Sequence, residues 1–308
     1  MADHGARPPG TVLVVGSANV DLTASVSALP RPGETVLAQS FVRRCGGKGA
    51  NQAAAAGRLG ARVGLVAATG DDDVGEAVRE AARNAGVRLD HLHRLPASPT
   101  GMALITVDDA GENVIVVSPG ANTQLSPEHA AKAIAGLGPT DVILVSLEIT
   151  TATAAAALLA ARSQGATSVL NPSPYTEDVE QLLSSVDVLI MNDGEAERLG
   201  NRRLDGLDLS VVITLGGEGA RVRARPSVDN SWVAVRAPAV EVVDTTGCGD
   251  AFAGAVAAEL AMGADLVSAT RFAVRYAAVA ATMPGAQSSY VDRAAVEDTL
   301  QDSMKEQT

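Results

Sequence analysis

Along the chain, short runs of apolar and largely β-branched residues alternate with longer stretches rich in Ala. The runs at Val12 to Val15, Val63 to Ala67, Val142 to Ser146, Ser168 to Leu170, Val188 to Met191 and Val211 to Leu215 lack the apolar–polar alternation of a strand with one wet face. Uninterrupted runs of this kind predict strands covered on both sides, as in a parallel sheet between helical layers. Helices are predicted between them near Ala50 to Leu59, Val74 to Ala85, Pro127 to Leu137 and Ala152 to Arg162, and later near Asp250 to Met262 and Leu266 to Ala281. The pattern is that of an α/β fold: a central, mostly parallel sheet with helices on both faces.

Two stretches break this rhythm. Gly101 to Val107 and Val114 to Val117 flank Asp108-Asp109-Ala110-Gly111-Glu112-Asn113, which reads as a β-hairpin with a turn of Asp, Gly and Asn. Val20 to Val42 is likewise extended, since Pro30, Pro32 and Gly33 oppose a helix. Together they predict a small β-sheet beside the main one, too small to cover a core and suited to a lid or a subunit contact. The expected organisation is one domain over 11–300 with lid strands inserted at about 20–43 and 100–118, between flexible tails at 1–10 and 301–308.

A chain of 308 residues buries enough surface to fold without a disulfide or metal staple. Acidic residues outnumber basic ones 36 to 24, giving a formal charge of −12, and the aromatics are three Phe, three Tyr and one Trp. A nucleic-acid binder would show a basic face and aromatic platforms, so that class is excluded. Cys45 and Cys248 have neither Cys-x-x-Cys spacing nor the numbers for a disulfide framework and fit free thiols in a reducing cytoplasm. No run approaches 18 uninterrupted apolar residues, and the polar start of the chain lacks the apolar core of a signal peptide. A soluble cytoplasmic protein without a membrane partner is expected.

Chemistry concentrates in three segments. In Val242-Val243-Asp244-Thr245-Thr246-Gly247-Cys248-Gly249-Asp250 a strand runs into a glycine loop and then a helix whose first turn holds a carboxylate. Gly247 and Gly249 let backbone amides converge, and the helix N-terminus adds partial positive charge, so the loop can hold an anion. A carboxylate beside a bound phosphate makes sense as a base for an attacking hydroxyl, which points to phosphoryl transfer; a helix merely capped by Asp250 has the same spacing. The second segment, Cys45-Gly46-Gly47-Lys48-Gly49-Ala50-Asn51, places Lys48 and Asn51 at a helix start where sugar hydroxyls can meet a donor and an acceptor, though an ordinary tight turn also fits. Asn19, Asp21 and Glu148 follow other strand ends. The third, Asn192-Asp193-Gly194-Glu195-Ala196-Glu197, suits a hydrated Mg²⁺ and equally a solvated acidic turn opening a helix. Neither glycine segment completes a dinucleotide fingerprint or a Walker A motif.

Taken jointly, Asn19-Val20-Asp21, Pro32-Gly33-Glu34-Thr35, Gly46-Gly47-Lys48-Gly49-Ala50-Asn51-Gln52, Thr69-Gly70-Asp71-Asp72, Gly111-Glu112-Asn113, Asn171-Pro172, Asn192 with Glu195, Thr214-Leu215-Gly216 and Asp244-Thr245-Thr246-Gly247-Cys248-Gly249-Asp250 resemble the ribokinase-like carbohydrate and nucleoside kinases from about residue 11 to 292. The resemblance implies ATP-dependent phosphorylation of D-ribose at O5, with 2-deoxyribose, another sugar or a nucleoside as alternative acceptors. In that reading Asp250 is the base, and the amides of Gly247, Cys248 and Gly249 form the anion hole. Asn19, Asp21, Gly47, Lys48, Asn51 and Glu148 hold the sugar. Asn192 and Glu195 position Mg²⁺ and phosphates, Thr214, Gly216, Gly217 and Gly219 border the nucleotide, and Gly249 also meets it. The resemblance further implies a monovalent cation, K⁺, at Asp244, Thr246, Ala280, Met283, Gly285 and Ser289, and a homodimer formed through the lid sheet.

Three departures from the family pattern stand out: a segment between Asn192 and Thr214 shorter by about one helix, Val274 where many members carry His or Asn, and Asp193-Gly194 in place of Glu-Thr. A non-catalytic sugar-binding protein on the same fold is the remaining alternative, but such a module has no need of Asp250 beside an anion loop. His91 and His93 alternate but lack a third ligand and are expected to face solvent. At −12 the protein cannot draw in ATP by overall charge, so the phosphates must be held by local amides and cations, and with few aromatics the adenine is expected between aliphatic walls.

Overall fold

In a computed structural model, which describes residues 9–225 and 231–305, the uninterrupted apolar runs acquire a simple cause. Successive side chains of a strand point to opposite faces. Val12 and Val14 enter one apolar layer, with Ala53 and Ala257, whereas Leu13 and Val15 enter the other, with Leu158 and Ala161. Val142 and Leu144 divide from Ile143 and Val145 in the same way. Both faces are dry, so every position must be apolar.

Among the described residues the main sheet has nine strands in the order β13 (Val233–Val235), β12 (Ala220–Arg223), β11 (Ser210–Thr214), β10 (Val188–Asn192), β9 (Thr167–Asn171), β8 (Val142–Ser146), β1 (Thr11–Val15), β4 (Arg62–Gly70) and β5 (Leu92–Leu95). Neighbours from β11 to β5 are parallel, and β12 and β13 extend that edge antiparallel. One face carries α1 (Lys48–Arg58), α2 (Asp73–Asn84), α8 (Cys248–Ala261), α9 (Leu266–Ala280) and α10 (Arg293–Lys305). The other carries α3 (Pro127–Ile134), α4 (Thr151–Gln164), α5 (Val179–Leu182), α6 (Asp193–Leu199) and α7 (Asn201–Gly206). Alanine sets the spacing of α1 against α8. A Cβ built on Gly254 would stand 2.8 Å from the Cβ of Ala55, so nothing larger than glycine fits at that crossing.

The expected accessory sheet is present as β3 (Ser40–Gly46), β2 (Asn19–Val26), β6 (Gly101–Asp108) and β7 (Asn113–Ser118), in that order. The edge strand β5, and β12 next to the edge strand β13, were not legible as strands. Leu92-His93-Arg94-Leu95 and Ala220-Arg221-Val222-Arg223 are short and interrupted by charge, which the margin of a sheet tolerates and a strand at its centre does not. At the expected domain limits, Gly10 is buried and donates its N–H to the carbonyl of Ala261 at 2.8 Å, and α10 continues past 300 to Lys305. The expected tail segments 1–8 and 306–308 lie outside the described residues.

Candidate active site

Parallel strands bring their C-terminal ends to one edge, where open α/β sheets bind ligands. Here that edge receives Ser17 after β1, Glu148 after β8, and Asn171, Asn192 and Thr214 at the ends of β9, β10 and β11. Register confirms the alignment, with Ser146 opposite Asn171 and Asn192 opposite Thr214. Lid strand β2 starts at Asn19, and β3 ends at Gly46 against it.

Asp250 lies in the first turn of α8, 7% exposed, and it does not cap its own helix. Its two carboxylate oxygens are held instead from α1: Asn51 Nδ2 donates to Oδ2 and Gln52 Nε2 to Oδ1, each at 3.0 Å. Gln52 Nε2 also donates to Asn171 Oδ1, and Asn171 Nδ2 donates to the carbonyl of Ile190. Burial pushes the Asp250 carboxyl above its ordinary range, opposed by the Lys48 charge and the two amide donors. The result is a fixed, poorly solvated carboxylate of enhanced basicity.

Helix starts divide into two kinds. Side chains cap α2, α3, α4, α6 and α9, through Asp72, Ser126, Thr150, Asn192 and Asp265. By contrast α1, α7 and α8 open on Gly47, Gly200 and Gly247, with φ of 88°, 86° and 75° and no side-chain cap. Two of the first amides of α1 are taken up by the protein: Lys48 N–H donates to Glu148 at 3.0 Å and Ala50 N–H to the Ser17 carbonyl at 2.9 Å. In the α8 loop the Cys248 N–H turns back to the Thr245 carbonyl at 3.2 Å, while among the described residues the N–H groups of Gly247 and Gly249 meet no acceptor. Open donors at a helix N-terminus can receive an anion, and the glycine loop of α8 offers them. A side chain at Gly247 is excluded, because a Cβ there would stand 2.5 Å from Ala286 and 2.7 Å from the hydroxyl of Tyr290. That hydroxyl donates to the Gly247 carbonyl at 2.9 Å and props the loop.

Beside Asp250 lies a polar hollow under the lid. Buried Asn19 accepts from Asn122 Nδ2 at 2.6 Å, and Asn122 Oδ1 accepts from the Ala18 N–H. Glu148 accepts from Ser17 Oγ and from Lys48 N–H. Asp21 faces both Glu148 and Asp250, and burial together with these like charges raises its pKa to about 6. Gly47 passes so close to Asn19 that an added Cβ would lie 2.8 Å from the Asn19 nitrogen. The expected sugar residues thus surround one site.

On the opposite side of the glycine loop a cavity of about 210 Å³ unites Thr214, Gly216, Gly217 and Gly219 with Thr245, Cys248 and Gly249. Aliphatic residues of α9 and of the segment 237–242 complete it. Asn192 and Glu195 do not line this cavity. They form a reciprocal capping box, Asn192 Oδ1 accepting from Glu195 N–H at 2.8 Å and Glu195 Oε2 from Asn192 N–H at 2.9 Å, so the acidic turn opens a helix, and each side chain keeps a second polar atom. Among the described residues no three His, Cys, Asp or Glu side chains gather as a metal site.

Asp244 ties two segments together: Oδ1 accepts from Thr246 N–H and Oδ2 from Gly285 N–H, each at 2.8 Å, and these bonds hold its carboxyl below the ordinary range against the effect of burial. The Ala281 carbonyl accepts from both Val243 and Asp244 N–H groups, which aligns 243–246 with 280–286. Neighbouring Cys248 is pushed up to about 11 by burial and by Asp244, and Cys45 is raised by burial, so both thiols are protonated and weak nucleophiles at neutral pH. Away from the site, exposed His93 stacks on His129 with ring centres 4.8 Å apart.

Gln52, Asn122, Asn171, Gln287 and Tyr290 are hydrogen-bond partners around the candidate site that spacing did not single out. Gln287 Nε2 donates to Asn51 Oδ1 at 3.0 Å, bridging 236 positions of sequence. Buried amides at strand ends or beside a glycine-rich segment are the signal that would have found Gln52 and Asn171.

The family pattern described as pfkB family carbohydrate kinase matches residues 10–293. The ribokinases of Haemophilus influenzae and Bacillus subtilis are 34% and 35% identical to this chain, over 92% and 94% of it and 96% and 99% of their own lengths. A deoxyribokinase of Salmonella typhimurium is 32% identical over 91% of the chain and 95% of its own length. A structure of Arabidopsis thaliana ribokinase complexed with ribose and ATP superposes with a TM-score of 0.85 at 29% identity, covering 95% of this chain and 99% of that one. With these matches spanning nearly the whole fold and a buried carboxylate beside an open glycine loop, this chain belongs to the pfkB family of carbohydrate kinases.

Proposed function

We propose that the protein transfers the γ-phosphoryl group of ATP to O5 of D-ribose, giving D-ribose 5-phosphate and ADP. One observation carries the reading: Asp250 is a buried, doubly hydrogen-bonded carboxylate beside the open N–H groups of Gly247 and Gly249. A carboxylate so close to an anion site repels phosphate unless it accepts a proton, and the hydroxyl of a bound sugar supplies that proton. Asn19, Asp21, Gly47, Lys48, Asn51 and Glu148 hold the sugar, and the loop amides receive the charge that develops on the moving phosphoryl oxygens, with Cys248 N–H able to exchange its turn bond for that role. Oxygen–phosphorus bond formation at the sugar and cleavage at the ADP side take place in line, with the proton going to Asp250. The ribokinases among the relatives favour ribose.

Mg²⁺ fits as a hydrated ion on the nucleotide phosphates, with Asn192 and Glu195 as outer partners; it would neutralise phosphate charge. The aligned segments at Asp244, Thr246, Ala280, Met283, Gly285 and Ser289 offer carbonyls and one carboxylate to a K⁺ ion, which would add positive potential beside the anion loop. The lid supports the homodimer: Val114, Ile115, Val116 and Val117 are each at least 52% exposed, an apolar strand too wet for an isolated protein. Among the described residues no helix is long and apolar enough to cross a membrane, and the free thiols Cys45 and Cys248 suit the cytoplasm.

The test is ADP release across ribose, 2-deoxyribose, fructose and adenosine, with and without K⁺. Ribose is expected to give the highest kcat/KM, with stimulation by K⁺. A higher kcat/KM for deoxyribose would move the protein to the deoxyribokinase reading that the Salmonella relative represents.

A further inference from the structure

We infer that Tyr290 is a positioning residue for phosphoryl transfer: its hydroxyl fixes the glycine loop of α8 in register with Asp250. The inference rests on the kinase reading above but not on which sugar is the acceptor. Two demands conflict at Gly247. A Cβ there would stand 2.5 Å from that of Ala286, and the φ of 75° is itself a glycine conformation, so no other residue fits. Yet glycine is the residue beside which a peptide swings most freely. The Gly247 carbonyl is held against that freedom by two donors, Ala251 N–H at 2.8 Å from within α8 and the hydroxyl of Tyr290 at 2.9 Å from outside it. A carbonyl only accepts, so the phenol is the donor and keeps its proton. The peptide unit is planar and trans, so fixing this carbonyl also fixes the Cys248 N–H on its opposite side, at the start of the helix that carries Gly249 and Asp250.

The post that carries this hydroxyl is itself fixed. Tyr290 is 4% exposed, and its ring packs tilted on Tyr276 with centres 6.3 Å apart. Just before it, Gly285 N–H donates to Asp244 at 2.8 Å, and the N–H and Oγ of Ser289 both donate to the Ala286 carbonyl, at 2.9 and 2.7 Å. From the same turn Gln287 Nε2 donates to Asn51 Oδ1, and Asn51 Nδ2 donates to Asp250, each at 3.0 Å. Segment 285–290 therefore holds the loop through Tyr290 and the base through Asn51, and one short stretch of chain sets both. Phenylalanine at 290 would fill the same space; what the hydroxyl adds is direction. Donors aimed at charge that develops in the transition state act there more than on the bound reactants, so loosening them lowers kcat and spares ground-state binding.

Tyr290→Phe removes the hydroxyl and keeps the ring. On the full-length protein, steady-state assays with the best sugar acceptor give kcat and KM. Calorimetry gives Kd for Mg²⁺–ADP alone and for Mg²⁺–ADP with aluminium fluoride and that sugar, a mimic of the phosphoryl group in transfer. Loss of one neutral hydrogen bond corresponds to about fivefold to tenfold, so kcat should fall and the aluminium fluoride complex weaken by that factor, with both KM values and the ADP Kd kept within about twofold. A residue that only packs would lower Tm and leave the ratio of the two Kd values in place, and an unchanged ratio in the folded variant overturns the proposal. Gln287→Leu loosens the same post from the Asn51 side and gives the same reading should Tyr290→Phe not fold: a ratio raised in favour of ADP alone supports the proposal and an unchanged one overturns it. A wild type that phosphorylates no sugar removes the kinase reading and the inference with it, whereas transfer at full rate in Tyr290→Phe removes the inference alone.

Discussion

Asp21→Asn should make the protein more stable and less active. In the folded protein Asp21 is half-buried near the like charges of Glu148 and Asp250, and its pKa rises from the ordinary 3.8 to about 6. A group whose acid form is favoured by folding binds its proton more tightly in the native state, so its ionisation opposes folding. The sign follows directly. Below about 3.8 both states hold the proton and the charge costs nothing; between 3.8 and 6 the cost grows as pH rises; above 6 it is complete. The full gap corresponds to about 3 kcal/mol, with about half of it present at pH 5. Asparagine keeps the shape and removes the charge, so the variant should gain up to about 3 kcal/mol at pH 8. With an unfolding entropy of about 2.1 cal/mol/K per residue, a chain of 308 residues shifts by about 1.5 °C per kcal/mol, so Tm should rise by up to roughly 5 °C. Sugar affinity should fall about 10–100-fold through loss of a charged hydrogen bond. Thermal melts at pH 4 and pH 8 with matched ionic strength provide the assay. A Tm at pH 8 equal to or below that of the wild type, or the same difference at both pH values, would refute the reasoning.

Other expectations follow from the same geometry. Asp250→Asn should lower kcat by about 100- to 10,000-fold while calorimetry shows sugar binding retained. Gln52→Leu removes a donor that favours the ionised form of Asp250, so the acid limb of the kcat/KM profile should move up by roughly one pH unit; a purely structural role would lower Tm and leave the limb in place. Gly247→Ala forces a side chain into a φ of 75° at about 1–2 kcal/mol and against Ala286 and Tyr290, so both Tm and kcat should drop. Paired substitutions Ile115→Asp and Val117→Asp, on one face of β7, should leave a folded monomer in sedimentation experiments if the lid joins two copies.

Legibility in the sequence followed burial. The central strands could be read because two dry faces demand unbroken apolar runs, and Val12 to Val15 meet that demand at every position. Edge strand β5 and the short β12 beside the β13 edge lie at the margins of the sheet, and Arg94 and Arg221 within them hid the pattern. At the site, Gly247, Gly249 and Asp250 were visible because a positive φ, an open helix start and a carboxylate must lie close in sequence. The amides that fix the base were not. Gln52 and Asp250 are separated by 198 positions, and Asn122 and Asn19 by 103, so only the fold reveals that they touch. Local spacing also left Asp250 open to a capping role, and the structure rules that role out: α8 starts uncapped and the carboxylate is held from α1.

Ribose-dependent formation of ADP, with the sugar product identified by phosphorus and carbon NMR, tests the central claim most directly. The account predicts one equivalent of D-ribose 5-phosphate per ADP, abolished in Asp250→Asn. ADP release that ignores ribose, or a product phosphorylated at another hydroxyl, would contradict it.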